Sequence, residues 1–133
     1  VELFTFGMAT RFYCDMLDVD MQAFAKGIFK VNKKHLSSWL LSLATLRNIC
    51  AHYSRIYYLN FTKLPKALKD SPEHSGRVFD LIFIMKYLYR DTEKWQNVFL
   101  AQLQAFVLEY EEYIDLQHIG FPFDWYERLY SKK

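Results

Sequence analysis

The sequence has few residues that break helices or make tight turns. Its 133 residues include only four glycines and three prolines, whereas the strands of a β-sandwich or barrel are separated by frequent turn residues. A chain of this length corresponds to one domain that can bury a sizeable core. We therefore expect a single domain over residues 1–133, with an all-α fold of about five helices and a short C-terminal helix.

The sequence also lacks the signals of metal binding, secretion and membrane insertion. Its two cysteines, Cys14 and Cys50, lie in helical patterns without the spacing of metal ligands, so we expect buried free thiols in a reducing cytoplasm. No signal peptide is visible. The apolar run at 78–89 contains Asp80 and Lys86 and is shorter than the roughly 20 residues of a membrane span. We expect a cytoplasmic protein that contacts no membrane and needs no cofactor.

Acidic residues are absent from one long segment of the chain. Residues 26–69, named here the acid-free segment, contain nine lysines and arginines and no aspartate or glutamate. The net charge of the whole chain is only +2. The segment is either a chance cluster on a solvated face or a surface that attracts phosphate groups. The second interpretation predicts a nucleic-acid partner.

Apolar residues recur at three- and four-residue steps along most of the chain, which predicts amphipathic helices. The run at 78–89 is apolar nearly all round and predicts a central buried helix, although a buried strand has the same signature. The predicted helices are Glu2–Leu17, Met21–Phe29 after an Asp18 or Asp20 cap, His35–Tyr57, a helix start at Ser71–Glu73 followed by Val78–Tyr89, Glu93–Ile114 after an Asp91 or Thr92 cap, and a short helix from Asp124 to Tyr130.

The predicted helix His35–Tyr57 carries two different stripes. The apolar stripe predicts its core face: Leu36, Trp39, Leu40, Leu43, Leu46, Cys50, Tyr53 and Ile56. The second stripe, which we name the polar stripe, lies largely on the opposite side and has mostly small, uncharged side chains. It comprises Ser38, Ser42, Thr45, Asn48 and His52 and ends at Arg55. Small side chains let another helix approach closely. The polar stripe is therefore either an interface with a second copy of this chain or a short-chained solvent face.

Four polar residues at the end of this helix can act together on RNA. Steps of four and three place Asn48, His52 and Arg55 on one helix face, and the long side chain of Arg47 can reach over one turn. RNA cleavage by the 2′-hydroxyl needs a base, an acid and a cation beside the phosphate. Histidine can serve as base or acid near neutral pH, and arginine forms a bidentate fork with phosphate.

One chain supplies only one histidine to this cluster. Symmetric pairing of two chains through the polar stripe brings two copies of His52 together, so that the base and the acid come from different protomers. An Arg-x4-His pattern alone is common, however, and a helix-terminal ion pair beside a hydrogen-bonded histidine also explains it. No second histidine, cysteine or carboxylate lies three or four residues from His52, so we expect no metal site.

Three motifs, which follow one another along the chain, support the functional interpretation of the Arg-x4-His pattern. The segment W-L-L-S-L at 39–43, followed by L-R-N-I-C-A-H-Y-S-R at 46–55, resembles the signature of the Abi-like (abortive infection) family. Upstream, E-L-F-T-F-G at 2–7 resembles the E-x-x-S-F-G of that family, with Thr5 in place of serine. Downstream, G-F-P at 120–122 with Trp125 resembles its closing G-F-P-x-x-W.

The resemblance implies the HEPN superfamily, whose helical bundles are usually dimeric and form a metal-independent RNase site at the dimer interface. It implies that Arg47 and His52 are the catalytic pair and that Asn48 assists them, with Arg55 as an auxiliary contact. Tyr53 replaces the second histidine of a frequent His-His pair, which favours packing or base stacking there. The further residues that we expect to bind RNA or phosphate are Lys63 and Lys66. We also expect the chain to be the C-terminal part of a longer protein.

Three functions fit these patterns. The first is an endoribonuclease of a phage-defence or toxin-type system, with RNA as substrate, a homodimer as the active form, and an antitoxin or regulator as a further partner. The second is a non-catalytic HEPN-type module that binds RNA or nucleotide and dimerises. The third is a purely structural, monomeric bundle without affinity for RNA.

Overall fold

The computed structural model describes residues 6–52, 55–62, 64–68 and 74–130. Within these ranges the chain is helical and contains no strand, which confirms the predicted all-α class. The helices are α1 (Phe6–Cys14), α2 (Asp18–Phe24, continued by a π-helical segment, Ala25–Phe29), α3 (Lys33–Ala51), α4 (Val78–Leu88), α5 (Thr92–Lys94, a π-helical segment, Trp95–Leu100, and Ala101–Tyr110) and α6 (Trp125–Leu129). A 3-10 turn, Leu116–Ile119, precedes α6.

Helix α3 is the centre of the packing, and it contacts α1, α2 and α4. Its buried apolar side chains are Leu36, Trp39, Leu43 and Leu46, which confirms the main part of the predicted core face. The Trp39 ring lies 5.9 Å from the Tyr87 ring of α4. Helix α4 is largely buried, so the apolar run at 78–89 forms the predicted buried helix and not a strand.

Several predicted core positions are wrong. The apolar repeat of the predicted helix Glu2–Leu17 places Phe12 and Leu17 on its core face, but both are exposed. For Leu17 the reason is that α1 ends at Cys14, so this residue lies beyond the helix. Cys50 is also exposed, and Cys14 is half-buried, so the prediction of buried thiols fails for Cys50. Helix α3 ends at Ala51, one residue after Cys50, and Ile56, the last member of the predicted apolar stripe, is not part of a helix.

The helix starts agree with the sequence only in part. Asp91 caps α5 as predicted, because its Oδ1 accepts a hydrogen bond from the Lys94 N–H at 3.0 Å. Helix α2 begins at Asp18 itself, whose side chain makes an ion pair with Lys33 at 3.3 Å instead of a cap. The predicted start at 71–73 lies outside the described residues, and α4 begins at Val78.

The spacing of Asp124 and Glu127 predicts a capping box at the start of α6, but the structure does not form it. Asp124 Oδ1 accepts a hydrogen bond from Arg128 Nε at 2.7 Å, and no side-chain cap bond is made. This bond stabilises the carboxylate and lowers the pKa of Asp124.

The buried carboxylate of Asp80 ties the loop before α4 to the first turn of that helix. Its Oδ1 accepts hydrogen bonds from the N–H and the hydroxyl of Ser75, both at 3.0 Å. Its Oδ2 accepts the N–H of Gly76 at 2.9 Å and lies 3.5 Å from His74 Nδ1. A carboxylate is favourable at a helix N-terminus, and these donors offset the cost of burying it.

The downstream motif packs against this loop. Gly120 has a φ of +80°, and a Cβ at this position would meet the Ser75 hydroxyl oxygen and lie 2.7 Å from Arg77 Cβ. The next residue, Phe121, is buried with its ring 4.9 Å from Phe79 and 5.3 Å from Trp125. The G-F-P-x-x-W motif is therefore a packing motif that fastens the C-terminal segment to the start of α4.

In the described part of the chain, no helix combines the length and the apolar character needed to cross a membrane.

We expect Gly120→Ala to destabilise the protein by about 2 kcal/mol or more, because a Cβ there is strained by the left-handed backbone and collides with Ser75 and Arg77. Urea unfolding followed by circular dichroism measures the change. Gly27→Ala is the matched control, since a Cβ there meets nothing within 4 Å. It should be neutral or stabilise by about 0.5 kcal/mol. Equal stabilities of the two variants would contradict the packing role of Gly120.

Candidate functional site

The candidate site lies on the last two turns of α3, where Arg47, Asn48 and His52 are all exposed. Arg47 Nη1 donates a hydrogen bond to Asn48 Oδ1 at 3.4 Å. His52 is the C-cap residue of α3, and its N–H donates to the carbonyl oxygen of Asn48 at 3.1 Å. Asn48 therefore contacts Arg47 through its side chain, whereas its bond to His52 is the backbone bond that closes the last turn of the helix. The three residues lie on neighbouring turns at one end of α3.

The end of α3 changes the position of Arg55. The helix stops at Ala51, six residues before the predicted end at Tyr57. Arg55 is exposed but lies beyond the helix, so the prediction that it shares one helical face with Asn48 and His52 is wrong. The predicted RNA contacts Tyr53 and Lys63 lie outside the described residues.

Part of the polar stripe is covered by the chain itself. Ser42 is 2% exposed, and Ser38 Oγ accepts a hydrogen bond from the Lys66 N–H at 2.9 Å. Ser42 is buried together with the core residues of α3, although the sequence placed it largely on the opposite side of the helix. These two serines are therefore not on the accessible face of α3.

The accessible face of α3 near the site is defined by Leu41, Thr45, Asn48 and His52. Leu41 is 46% exposed although it is apolar. Thr45 is half-buried, and its hydroxyl donates to the Leu41 carbonyl oxygen at 3.1 Å. Steps of four, three and four residues keep these side chains on one face. We name this set the outer face of α3.

Lys66 is held at the other end of α3. In addition to its bond with Ser38, its carbonyl oxygen accepts a hydrogen bond from Trp39 Nε1 at 2.8 Å. Ser38 and His52 are separated by about 21 Å along the helix axis, at 1.5 Å per residue. The structure thus does not bring Lys66 together with the cluster, and a contact of Lys66 with a longer RNA stays a prediction.

Positive charge in the acid-free segment is largely accessible. Its exposed basic residues within the described ranges are Lys26, Lys30, Lys34, Arg47, Arg55 and Lys66. The carbonyl oxygens at the C-terminus of α3 carry partial negative charge and repel a phosphate. Binding of a phosphate at this helix end therefore depends on the guanidinium groups of Arg47 and Arg55.

A cluster of aromatic residues holds the chain just after the site, and sequence reasoning missed it. Tyr57 Oη accepts a hydrogen bond from the Asp115 N–H at 2.6 Å and lies 3.2 Å from His118 Nδ1. The rings of Tyr57, Tyr58 and His118 lie 4.6 to 5.4 Å apart, centroid to centroid. These contacts join residues about 60 positions apart, and no local pattern in the sequence signals them.

Arg77 completes this anchor, since its Nη1 donates to the Tyr58 carbonyl oxygen at 2.6 Å. The turn at Tyr57 and Tyr58 is thereby fixed from two sides: from the loop before α4 and from the segment before α6. Among the described residues, no group of three or more histidine, cysteine, aspartate and glutamate side chains is placed to hold a metal ion.

The fold and the site define a class: a helical domain that presents an exposed Arg-x4-His pair at the end of its central helix. Comparison with known families is consistent with this class. Residues 1–58 match the family model described as Abi-like protein. The match covers 58 of the 133 residues and includes Arg47, Asn48 and His52, so this part of the chain is similar to the Abi-like family. It also supports a role in abortive infection, a form of phage defence. No curated protein and no solved structure gave a significant match.

We expect Tyr57→Phe to destabilise the protein by about 1 kcal/mol, because the Asp115 N–H loses its acceptor. Hydrogen exchange at the Asp115 amide should accelerate with it. Tyr113→Phe is the matched control, since Tyr113 is exposed and should tolerate the loss of its hydroxyl. If Asp115 exchange is unchanged in Tyr57→Phe, the anchoring role of Tyr57 is wrong.

Proposed function

We propose that this protein is a metal-independent endoribonuclease of an abortive-infection system, with a site formed between two copies of the chain. The observation that carries the proposal is the exposed Arg47–Asn48–His52 arrangement at the end of α3. It lies inside the segment that matches the Abi-like family. The accessible positive charge of the acid-free segment supports RNA as the substrate.

The reaction follows from these side chains. His52 of one protomer accepts the proton of a 2′-hydroxyl, and that oxygen attacks the neighbouring phosphorus. The bond from phosphorus to the 5′-oxygen breaks, and the protonated His52 of the second protomer donates a proton to the leaving oxygen. Arg47 neutralises the charge on the phosphoryl oxygens through its guanidinium group. The products are a 2′,3′-cyclic phosphate and a free 5′-hydroxyl.

The outer face of α3 is the surface that we propose for the dimer. A two-fold axis that runs parallel to α3 along this face pairs each helix with its own copy and brings the two His52 side chains to one place. The same axis places the exposed Leu41 side chain, at the other end of the face, against its twin, and burying the two stabilises the pair. This arrangement is the one expected for the HEPN superfamily.

One observation favours a second candidate function, a non-catalytic module that binds RNA or nucleotide. The Arg-x4-His segment contains a single histidine, and Tyr53 stands where a second one is frequent. With a single histidine the site lacks either the base or the acid of the reaction. It then binds phosphate without cleaving RNA, unless the dimer supplies the second histidine. End chemistry of incubated RNA separates the two functions, because only the nuclease yields 2′,3′-cyclic phosphate ends.

We expect His52→Ala and Arg47→Ala each to lower RNA cleavage by about 100-fold or more, since each removes a group required in the transition state. Single-turnover cleavage of a labelled RNA in EDTA gives the rate, and end mapping gives the products. Arg90→Ala is the matched control, because Arg90 is an exposed arginine outside the acid-free segment. Circular dichroism verifies that each variant is folded. Unchanged cleavage by the Arg47→Ala, His52→Ala double variant would contradict the nuclease proposal.

We expect Leu41→Lys to convert the dimer to a monomer and to abolish cleavage, because two lysines then face each other across the two-fold axis. Light scattering after size-exclusion chromatography reports the mass. Val98→Lys is the matched control, since Val98 is a similarly exposed apolar residue on α5. A Leu41→Lys protein that stays dimeric and active would show that α3 does not form the interface.

A further inference from the structure

We propose that Tyr58 is a stacking platform for a base of single-stranded RNA beside the candidate site. The inference rests on the proposed function, in that it assigns a substrate contact to the same site. It starts from exposure: Tyr58 is 64% exposed even though its neighbour Tyr57 is half-buried and bonded. An aromatic residue left this open contributes little to the core.

The platform is fixed in place before any ligand binds. The Tyr58 ring lies 4.6 Å from the Tyr57 ring at an interplanar angle of 80°, and 4.6 Å from the His118 ring at 45°. Its carbonyl oxygen is held by Arg77 Nη1 at 2.6 Å. Because the backbone and the ring are already ordered, stacking a base on Tyr58 costs little conformational entropy.

The position of Tyr58 suits a strand that passes through the candidate site. Tyr58 follows His52 by six positions, so their Cα atoms lie at most about 22 Å apart. The exposed Arg55 lies between them in the chain. An arginine that contacts the phosphate and an aromatic ring that stacks on the base together form the usual platform for single-stranded nucleic acid. Since every base has a flat π-face, we expect little base preference from this contact.

His118 supports the platform from the C-terminal segment. Its Nδ1 lies 3.2 Å from Tyr57 Oη, and its Nε2 lies 3.9 Å from Asp115 Oδ2. These contacts orient the imidazole against Tyr58. The role of His118 is thus to position the tyrosines, while Tyr58 itself touches the base.

The test uses the full chain carrying His52→Ala, which binds without cleaving, and a short single-stranded RNA that contains 2-aminopurine. Stacking on Tyr58 quenches the 2-aminopurine fluorescence. We expect Tyr58→Ala in this background to weaken binding by about 5-fold or more and to relieve the quenching. Tyr58→Phe should keep both, because it keeps the ring. Tyr113→Ala is the matched control: Tyr113 is 78% exposed but is not part of the proposed platform, so this variant should change neither the affinity nor the quenching.

A second variant covers the case in which Tyr58→Ala does not fold. Tyr58→Leu keeps an apolar side chain of similar reach but has no π-face, so it should fold and still relieve the quenching. The platform is wrong if Tyr58→Ala and Tyr58→Leu bind and quench like the parent, or if Tyr113→Ala weakens binding equally.

The same measurements distinguish this inference from the proposed function. If wild-type protein produces cyclic phosphate ends while binding is insensitive to Tyr58, the nuclease stands and the platform fails. If wild-type protein produces none while quenching depends on Tyr58, the platform stands and the nuclease fails. An absence of RNA binding by every variant overturns both.

Discussion

The carboxylate of Asp80 holds the loop to which the chain after α3 is bonded. It is buried and accepts bonds from Ser75 and Gly76, which tie this loop to the first turn of α4. From this loop, the Gly76 carbonyl oxygen accepts the Phe61 N–H at 2.7 Å, and Arg77 holds the Tyr58 carbonyl oxygen. A buried charge is costly unless it is fully bonded. The donors that stabilise it therefore also fix the path of the chain that leaves α3.

The candidate site is governed by a balance of charge at the end of α3. Carbonyl oxygens at a helix C-terminus oppose an anion, whereas arginines and an acid-free surface attract one. Arg47 donates a 3.4 Å hydrogen bond to the Asn48 side chain, and both residues are exposed at this helix end. One chain supplies one His52, whereas the proposed reaction needs both a base and an acid. The proposed mechanism therefore requires a two-fold dimer. The proposed stacking platform at Tyr58 would add a surface for a base beside this site.

Local patterns predicted the helices well and their ends less well. The α4 segment was found because its residues are apolar nearly all round, and Asp91 was found because capping is local chemistry. The end of α3 at Ala51 was missed because the residues up to Tyr57 continue a helical pattern. The exposure of Cys50 and the burial of Ser42 were missed because the arc of a helix that becomes core depends on which neighbours cover it. Of the site, the Arg47–Asn48–His52 cluster came from spacing alone, whereas Tyr58 and His118 did not.

The sequence by itself determined the helical class, the central helix, the Arg-x4-His pair and the Abi-like resemblance. These follow from periodicity, spacing and motifs within a few tens of residues. Only the tertiary structure decided that Ser38 and Lys66 bind each other, that Arg55 leaves the helix, and that Tyr57, Tyr58 and His118 meet. Such contacts join distant segments, and their free energy depends on the geometry of the whole core. No window of sequence contains that geometry.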